Sequence, residues 1–139
     1  MTRLEPEPPP EPVAPEAFEE QLRRGVALFD EGRYHEAHEA FERLWVSGAG
    51  EDEDLFKGLI QAAICLHHFQ RGELDGAAKL HSGARRLLAP FLPVRRGLDL
   101  ARFLGELQTC LRPVLRRAPE ERVPFDEAAR PRLGSPASS

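Results

Sequence analysis

Residues 38–45 read His38-Glu39-x-x-Glu42-x-x-Trp45, the stretch of this chain richest in groups able to do chemistry. On a helix, His38, Glu42 and Trp45 fall at i, i+4 and i+7 and share one face, with Glu39 at its border. Farther along, Lys57, Gln61 and His68 stand at i, i+4 and i+11, a polar strip in an otherwise apolar run, with His67 beside it. If the two segments form an antiparallel hairpin about residues 47–53, positions whose numbers sum to about 100 face each other. Glu42 then approaches Lys57, Gly58 and Gln61. His38 approaches Gln61 and Cys65, and His35 approaches His68.

Three chemistries could use such a seam. His38-Glu39-x-x-Glu42 resembles H-E-x-x-H, in which ligands at i and i+4 share a metal and the intervening glutamate acts as base. Here Glu42 stands where the second histidine belongs, and the candidate ligands reduce to His38, Glu42 and His68, so no metal and no cofactor is expected. General acid–base work by His38, tuned by Glu42, lacks a nucleophile or a phosphate loop to serve. The favoured reading is a structural network in which Glu42 pairs with Lys57, His38 bonds Gln61 and Trp45 packs over the hairpin loop. Buried polar groups need partners, and such clusters fix helix register. The same residues could instead line a ligand-binding pocket without turnover.

The elements that must position these groups are helices. Pro15 suits a first helical turn, and Glu16, Glu19 and Glu20 favour that end of the helix dipole. Phe18, Leu22, Val26 and Phe29 then follow at helical spacing until Gly32. A second helix is expected over about Tyr34 to Trp45, and a third over about Asp54 to Arg71. The third is apolar on most sides and should be the central one. A fourth runs from about Leu74 to Leu88 and a fifth from about Leu98 to Leu115, with Pro113 as a late kink or boundary. Phe29-x-x-Gly32-x-Tyr34-x-x-Ala37 recurs 40 residues later as Phe69-x-x-Gly72-x-Leu74-x-x-Ala77. In each copy the glycine lets the chain reverse and the alanine lets two helices approach, as in a tetratricopeptide hairpin. Two copies are too few for a solenoid. The expected fold is therefore all-α, a compact bundle of about five helices with tetratricopeptide-like antiparallel hairpins. Residues 15–117 form that domain. Residues 1–14, with five prolines and three glutamates, are read as a disordered extension, and residues 118–139 as a flexible tail.

Composition narrows the rest. Two cysteines, Cys65 and Cys110, lie 45 positions apart with no C-x-x-C pattern, which suits a reducing cytoplasm rather than a disulfide framework. The N-terminus has no apolar signal region, and the longest apolar run is too short for a bilayer, so no membrane is expected. Seventeen arginines against two lysines fit the bias expected of a GC-rich bacterial genome. Charge is segregated. Residues 15–54 hold twelve acidic and four basic side chains, whereas residues 81–117 hold two acidic and eight basic. Such halves can face each other within the fold or across a homodimer, or present a basic face to nucleic acid. Nucleic acid is not the expected partner, because no aromatic residues interleave with the arginines to stack bases. The pairs Arg85-Arg86 and Arg95-Arg96 are read as solvated helix ends, and His81 as a surface histidine.

The run Phe29-Asp30-Glu31-Gly32-Arg33-Tyr34-His35-Glu36-Ala37-His38-Glu39-Ala40-Phe41-Glu42-Arg43-Leu44-Trp45 is similar to the opening signature of the bacterial and archaeal domain-of-unknown-function 309 family. Phe56-Lys57-Gly58-Leu59-Ile60-Gln61, His67, Gly72 and Gly76-Ala77 resemble its second block. The resemblance covers about residues 18 to 90 and implies an all-helical fold. It implies no reaction, and whether the chain is an enzyme stays open. The expectation is a non-catalytic interaction or small-ligand-binding helical module. Its rivals are a hydrolase-like metal enzyme using His38 and Glu42, and nucleic-acid binding through the arginine-rich half.

Overall fold

A computed structural model describes residues 8–134 and holds five helices. They are α1 (Phe18–Asp30), α2 (Tyr34–Val46), α3 (Glu53–Gln70), α4 (Leu74–Leu88) and α5 (Leu100–Leu115). Helices α1 and α2 form one antiparallel hairpin and α3 and α4 another, with α3 packed against both α2 and α4. The near-continuous apolar surface of α3 dictates that central place. Leu55, Phe56, Leu59, Ala62, Ala63, Cys65 and Leu66 are all fully buried. Each large side chain so covered contributes roughly 1.5–3 kcal/mol.

Both hairpin turns close the same way. The N–H of Gly32 donates to the carbonyl of Phe29 (2.9 Å) and that of Arg33 to the carbonyl of Leu28 (3.0 Å). Forty residues on, Gly72 donates to Phe69 (3.0 Å) and Glu73 to His68 (2.9 Å). These paired bonds satisfy carbonyls that the helix end leaves open, and they require a left-handed residue at the turn. Gly32 and Gly72 supply it, at φ of 80° and 77°. Phe29, Tyr34, Ala37, Phe69 and Ala77, the repeated positions, are all in the core. Small residues again set helix separation within the first hairpin, where a Cβ at Gly25 would lie 2.5 Å from the ring of Phe41.

Between α4 and α5 the chain makes a short two-stranded hairpin, β1 (Val94–Arg95) with β2 (Leu98–Asp99). Arg96 and Gly97 form its two-residue turn, both with positive φ, as right-handed strand twist favours. Asp99 then caps α5 by accepting from the Arg102 N–H at 3.0 Å. Pro113 sits inside the last turn of α5, which continues to Leu115.

Two expectations need correction here. His81 is 3% exposed, not a surface residue, and its Nε2 has no hydrogen-bond partner. It lies on the buried side of α4 with Ala77, Ala84 and Leu88. Arg95 and Arg96 are not helix ends but hairpin residues that grip the buried carboxylate of Asp52. The segment after α5 turns back over the body as far as Gly134, with Leu133 1% exposed and Arg130 and Arg132 directed at Asp30. Of the proline-rich N-terminal segment, residues 1–7 lie outside the described residues. Beyond them, Val13 donates to Ser47 Oγ (2.7 Å) and Arg43 donates to the carbonyl of Glu11 (3.0 Å). Backbone groups rather than apolar side chains make those two contacts, so composition carries no trace of them.

Candidate functional site

Helix α2 carries His35, His38, Glu39, Glu42 and Trp45 outward from a buried stripe of Tyr34, Ala37, Phe41 and Leu44. The Nε2 of His38 lies 2.5 Å from Glu42 Oε1, one helical turn on, and both side chains remain about a quarter exposed. His35 Nε2 reaches Glu39 Oε2 at 3.8 Å, and that pair is half exposed. Both pairs are therefore internal to α2. The expected cross-helix bonds, Glu42 to Lys57 and His38 to Gln61, are not among the contacts formed by the described residues; Lys57 projects into solvent.

Helix α3 divides the remaining candidates between its two flanks. His67 turns toward α2, where its ring lies 5.5 Å from that of His35, which in turn meets His38 edge-on at 5.8 Å. The neighbour of His35 is thus His67, not His68 as the hairpin arithmetic predicts. One residue is 100° of helix, which places His68 on the α4 flank, 3.5 Å from where a Cβ on Gly76 would stand. Gln61 shares that flank. A Cβ at Gly83 would fall 2.0 Å from its Oε1, so the α4 backbone crosses directly over the amide. The seam read from sequence as one cluster is two: His35, His38, Glu39, Glu42 and His67 between α2 and α3, and Gln61 and His68 between α3 and α4.

Sequence reasoning missed the partner of His68. Its Nδ1 lies 2.5 Å from Glu73 Oε2, and Arg71 Nε donates to the other oxygen at 3.0 Å. The hydrogen bonds from Arg71 and then His68 hold the Glu73 carboxyl below its usual range. The signal that could have found it is Gly72, since the glycine turn returns residue i+5 to the carbonyl end of i. On the other flank, burial lowers the pKa of His67, and the neighbouring His35, Arg71 and His68 push the same way. Trp45 is half-buried against the core, and its Nε1 is covered without an acceptor.

The three candidate metal ligands do not converge. His38 and Glu42 stand together, whereas His68 is turned to Glu73 across α3. Among the described residues, no three His, Cys, Asp or Glu side chains are grouped so as to hold a metal ion. The two arginine pairs of the arginine-rich half also separate. Arg85 and Arg86 are exposed, while Arg95 and Arg96 are committed to Asp52.

That clamp is the most developed charged constellation of the fold. Asp52 is 4% exposed, and Arg95 Nε donates to its Oδ1 at 2.7 Å while Arg96 Nε donates to Oδ2. Arg96 also pairs with Glu19 (2.9 Å) and lies over the rings of Phe18 (4.8 Å) and Phe56 (5.6 Å). Burial raises the Asp52 pKa, but the hydrogen bonds from Arg96 and Arg95 outweigh it and hold the carboxyl below its ordinary value. The acidic and basic halves of the sequence thus meet within the chain.

Residues 22–80, which include both hairpin turns and every candidate of the seam, match the family described as "Domain of unknown function (DUF309)". A protein of Aquifex aeolicus (strain VF5), named only as uncharacterized, is 31% identical over 99 residues. The alignment takes in 69% of this chain and 28% of that relative. The stretch that carries both glycine turns is thus the part of the chain that is similar to the domain-of-unknown-function 309 family.

Proposed function

We propose that the protein is a non-catalytic binding module whose recognition surface is the partly open α2–α3 seam of His35, His38, Glu39, Glu42, Trp45 and His67. One observation carries this reading: the His38–Glu42 and His35–Glu39 pairs lie within α2 and keep solvent access, so they join no two elements. Polar groups that hold helices in register must bridge them, and these do not. Exposed i, i+4 pairs contribute only about 0.3–0.5 kcal/mol to a helix, so a ligand can recruit either partner at small cost. Two carboxylates alternate with imidazoles that donate or accept according to tautomer, and an aromatic plane lies beside them. That set suits a small polar ligand or a polar protein segment. A cytoplasmic setting belongs to the same proposal, supported by Cys65 and Cys110, both buried and both free. No helix of the described residues is long and apolar enough to cross a membrane.

Trp45 is the sole tryptophan, so its emission reports the seam directly. Titration with pooled small polar metabolites should give a saturable change in emission that His38→Ala/Glu42→Ala abolishes. A response equal in the double variant would overturn the reading. So would stoichiometric metal in untagged protein that His38→Ala releases.

A further inference from the structure

We infer that the two hairpins together with α5 form a groove for an extended peptide, filled here by the chain's own residues 123–134, and that this segment can be exchanged for the same segment of a second copy. The groove reads both side chains and backbone. The Phe125 ring stands edge-on to Phe69 (5.1 Å) and Tyr34 (6.3 Å), one residue from each repeat. Leu133 is buried eight residues later. Between them the segment holds one short turn, Glu127–Ala129, and pairs with no strand.

Its backbone is instead read by side chains of the body. The two carboxylate oxygens of Asp30 accept the N–H groups of Leu133 (2.7 Å) and Gly134 (3.0 Å). Arg102 Nη2 donates to the carbonyls of Arg132 (2.9 Å) and Gly134 (2.8 Å), and Glu106 accepts the N–H of Arg132 (2.9 Å). In return Arg130 donates to the carbonyls of Asp30 (3.3 Å) and Glu31 (3.4 Å), at the C-terminal end of α1 where a cation is favoured. Apolar contacts at two side chains, with main-chain bonds gathered at residues 132–134, make up a peptide-recognition surface.

The connection to α5 is of another kind. Residues 118–122 are exposed, Glu120 adopts a φ of 71°, and a cleft of about 740 Å³ separates them from the α3–α4 turn. Lifting the segment therefore breaks its own contacts and few others. Exchange of a segment through a loose connection is a low-cost route to a dimer. The ligand class is an extended peptide with a phenylalanine and, eight positions on, a leucine.

The test uses the full chain carrying Phe125→Ala and Leu133→Ala, with a fluorescein-labelled peptide of residues 119–134 as probe. The double variant, folded by circular dichroism, should bind the peptide saturably and at least about tenfold more tightly than the wild-type chain, whose own segment competes at high effective concentration. A peptide with the same two alanines should not bind. A folded variant that binds neither peptide, or both equally, would overturn the inference. Should the variant fail to fold, amide exchange in the wild type decides. The Leu133 and Gly134 amides should exchange at least about tenfold faster than those of α3, by an opening that leaves the helices intact. Exchange only through global unfolding would show that the segment does not detach.

Discussion

The α2–α3 seam and the Asp52 clamp are opposite uses of the same chemistry. At the seam, histidines and glutamates alternate along one helix, pair within it and stay open to water. At the clamp, one carboxylate 4% exposed ties the start of α3 to a hairpin more than 40 residues away. Sequence spacing makes the seam conspicuous and hides the clamp, yet the clamp joins distant elements by ion pairs and the His–Glu pairs of the seam join none. A dense polar motif on one helix face marks groups that are available. A buried carboxylate met by two guanidinium groups marks groups that are committed.

The largest expected effect is at the clamp. Asp52→Ala removes the buried carboxylate that joins two arginines, which themselves keep partial access to solvent (40% and 28%), and should cost about 1–3 kcal/mol in urea unfolding. A loss below about 1 kcal/mol would place the clamp with the ordinary surface pairs. Acid should find the same site. The folded Asp52 pKa lies below its unfolded value, so the clamp's stabilisation is fully present above about pH 4 and is lost as pH falls through the folded pKa. Unfolding midpoints against pH should show this loss in the wild type and a shallower one in Asp52→Asn.

A smaller effect comes from His81, whose imidazole is pushed below its ordinary value of 6.5 by burial and then by Arg85. The unfolded chain takes up that proton before the folded one does, so stability declines as pH falls from about 7 toward 5. His81→Leu should flatten that decline and cost little at pH 8, because the Nε2 it removes has no partner. An unchanged slope would mean that other histidines carry it.

The helices and both turns were legible in the sequence because they rest on local signals: apolar periodicity, and glycine where φ must be positive. The repeat at 40 residues was legible for the same reason. The seam was legible only as a list of residues. Whether His67 or His68 faces α2 depends on one residue of helix rotation, and the choice divides the cluster in two. Asp52 sits among Glu51, Glu53 and Asp54 with nothing to distinguish it until β1 and β2 are in place. Phe125 and Leu133 are isolated apolar residues in a proline-containing segment, and the backbone N–H groups that Asp30 accepts have no sequence signature at all. His81 was misread because a single polar residue on an apolar helix face is balanced by its neighbours on that face, not by its own type.

The smallest expected effect bears most directly on the central claim that the seam is available rather than structural. It is the urea unfolding free energy of His38→Ala/Glu42→Ala at pH 7 against wild type. An intrahelical, partly exposed pair predicts a change below about 1 kcal/mol, with the cooperative transition retained. A loss of about 2 kcal/mol or more, approaching that of Asp52→Ala, would show that the pair holds the helices together and would contradict the account.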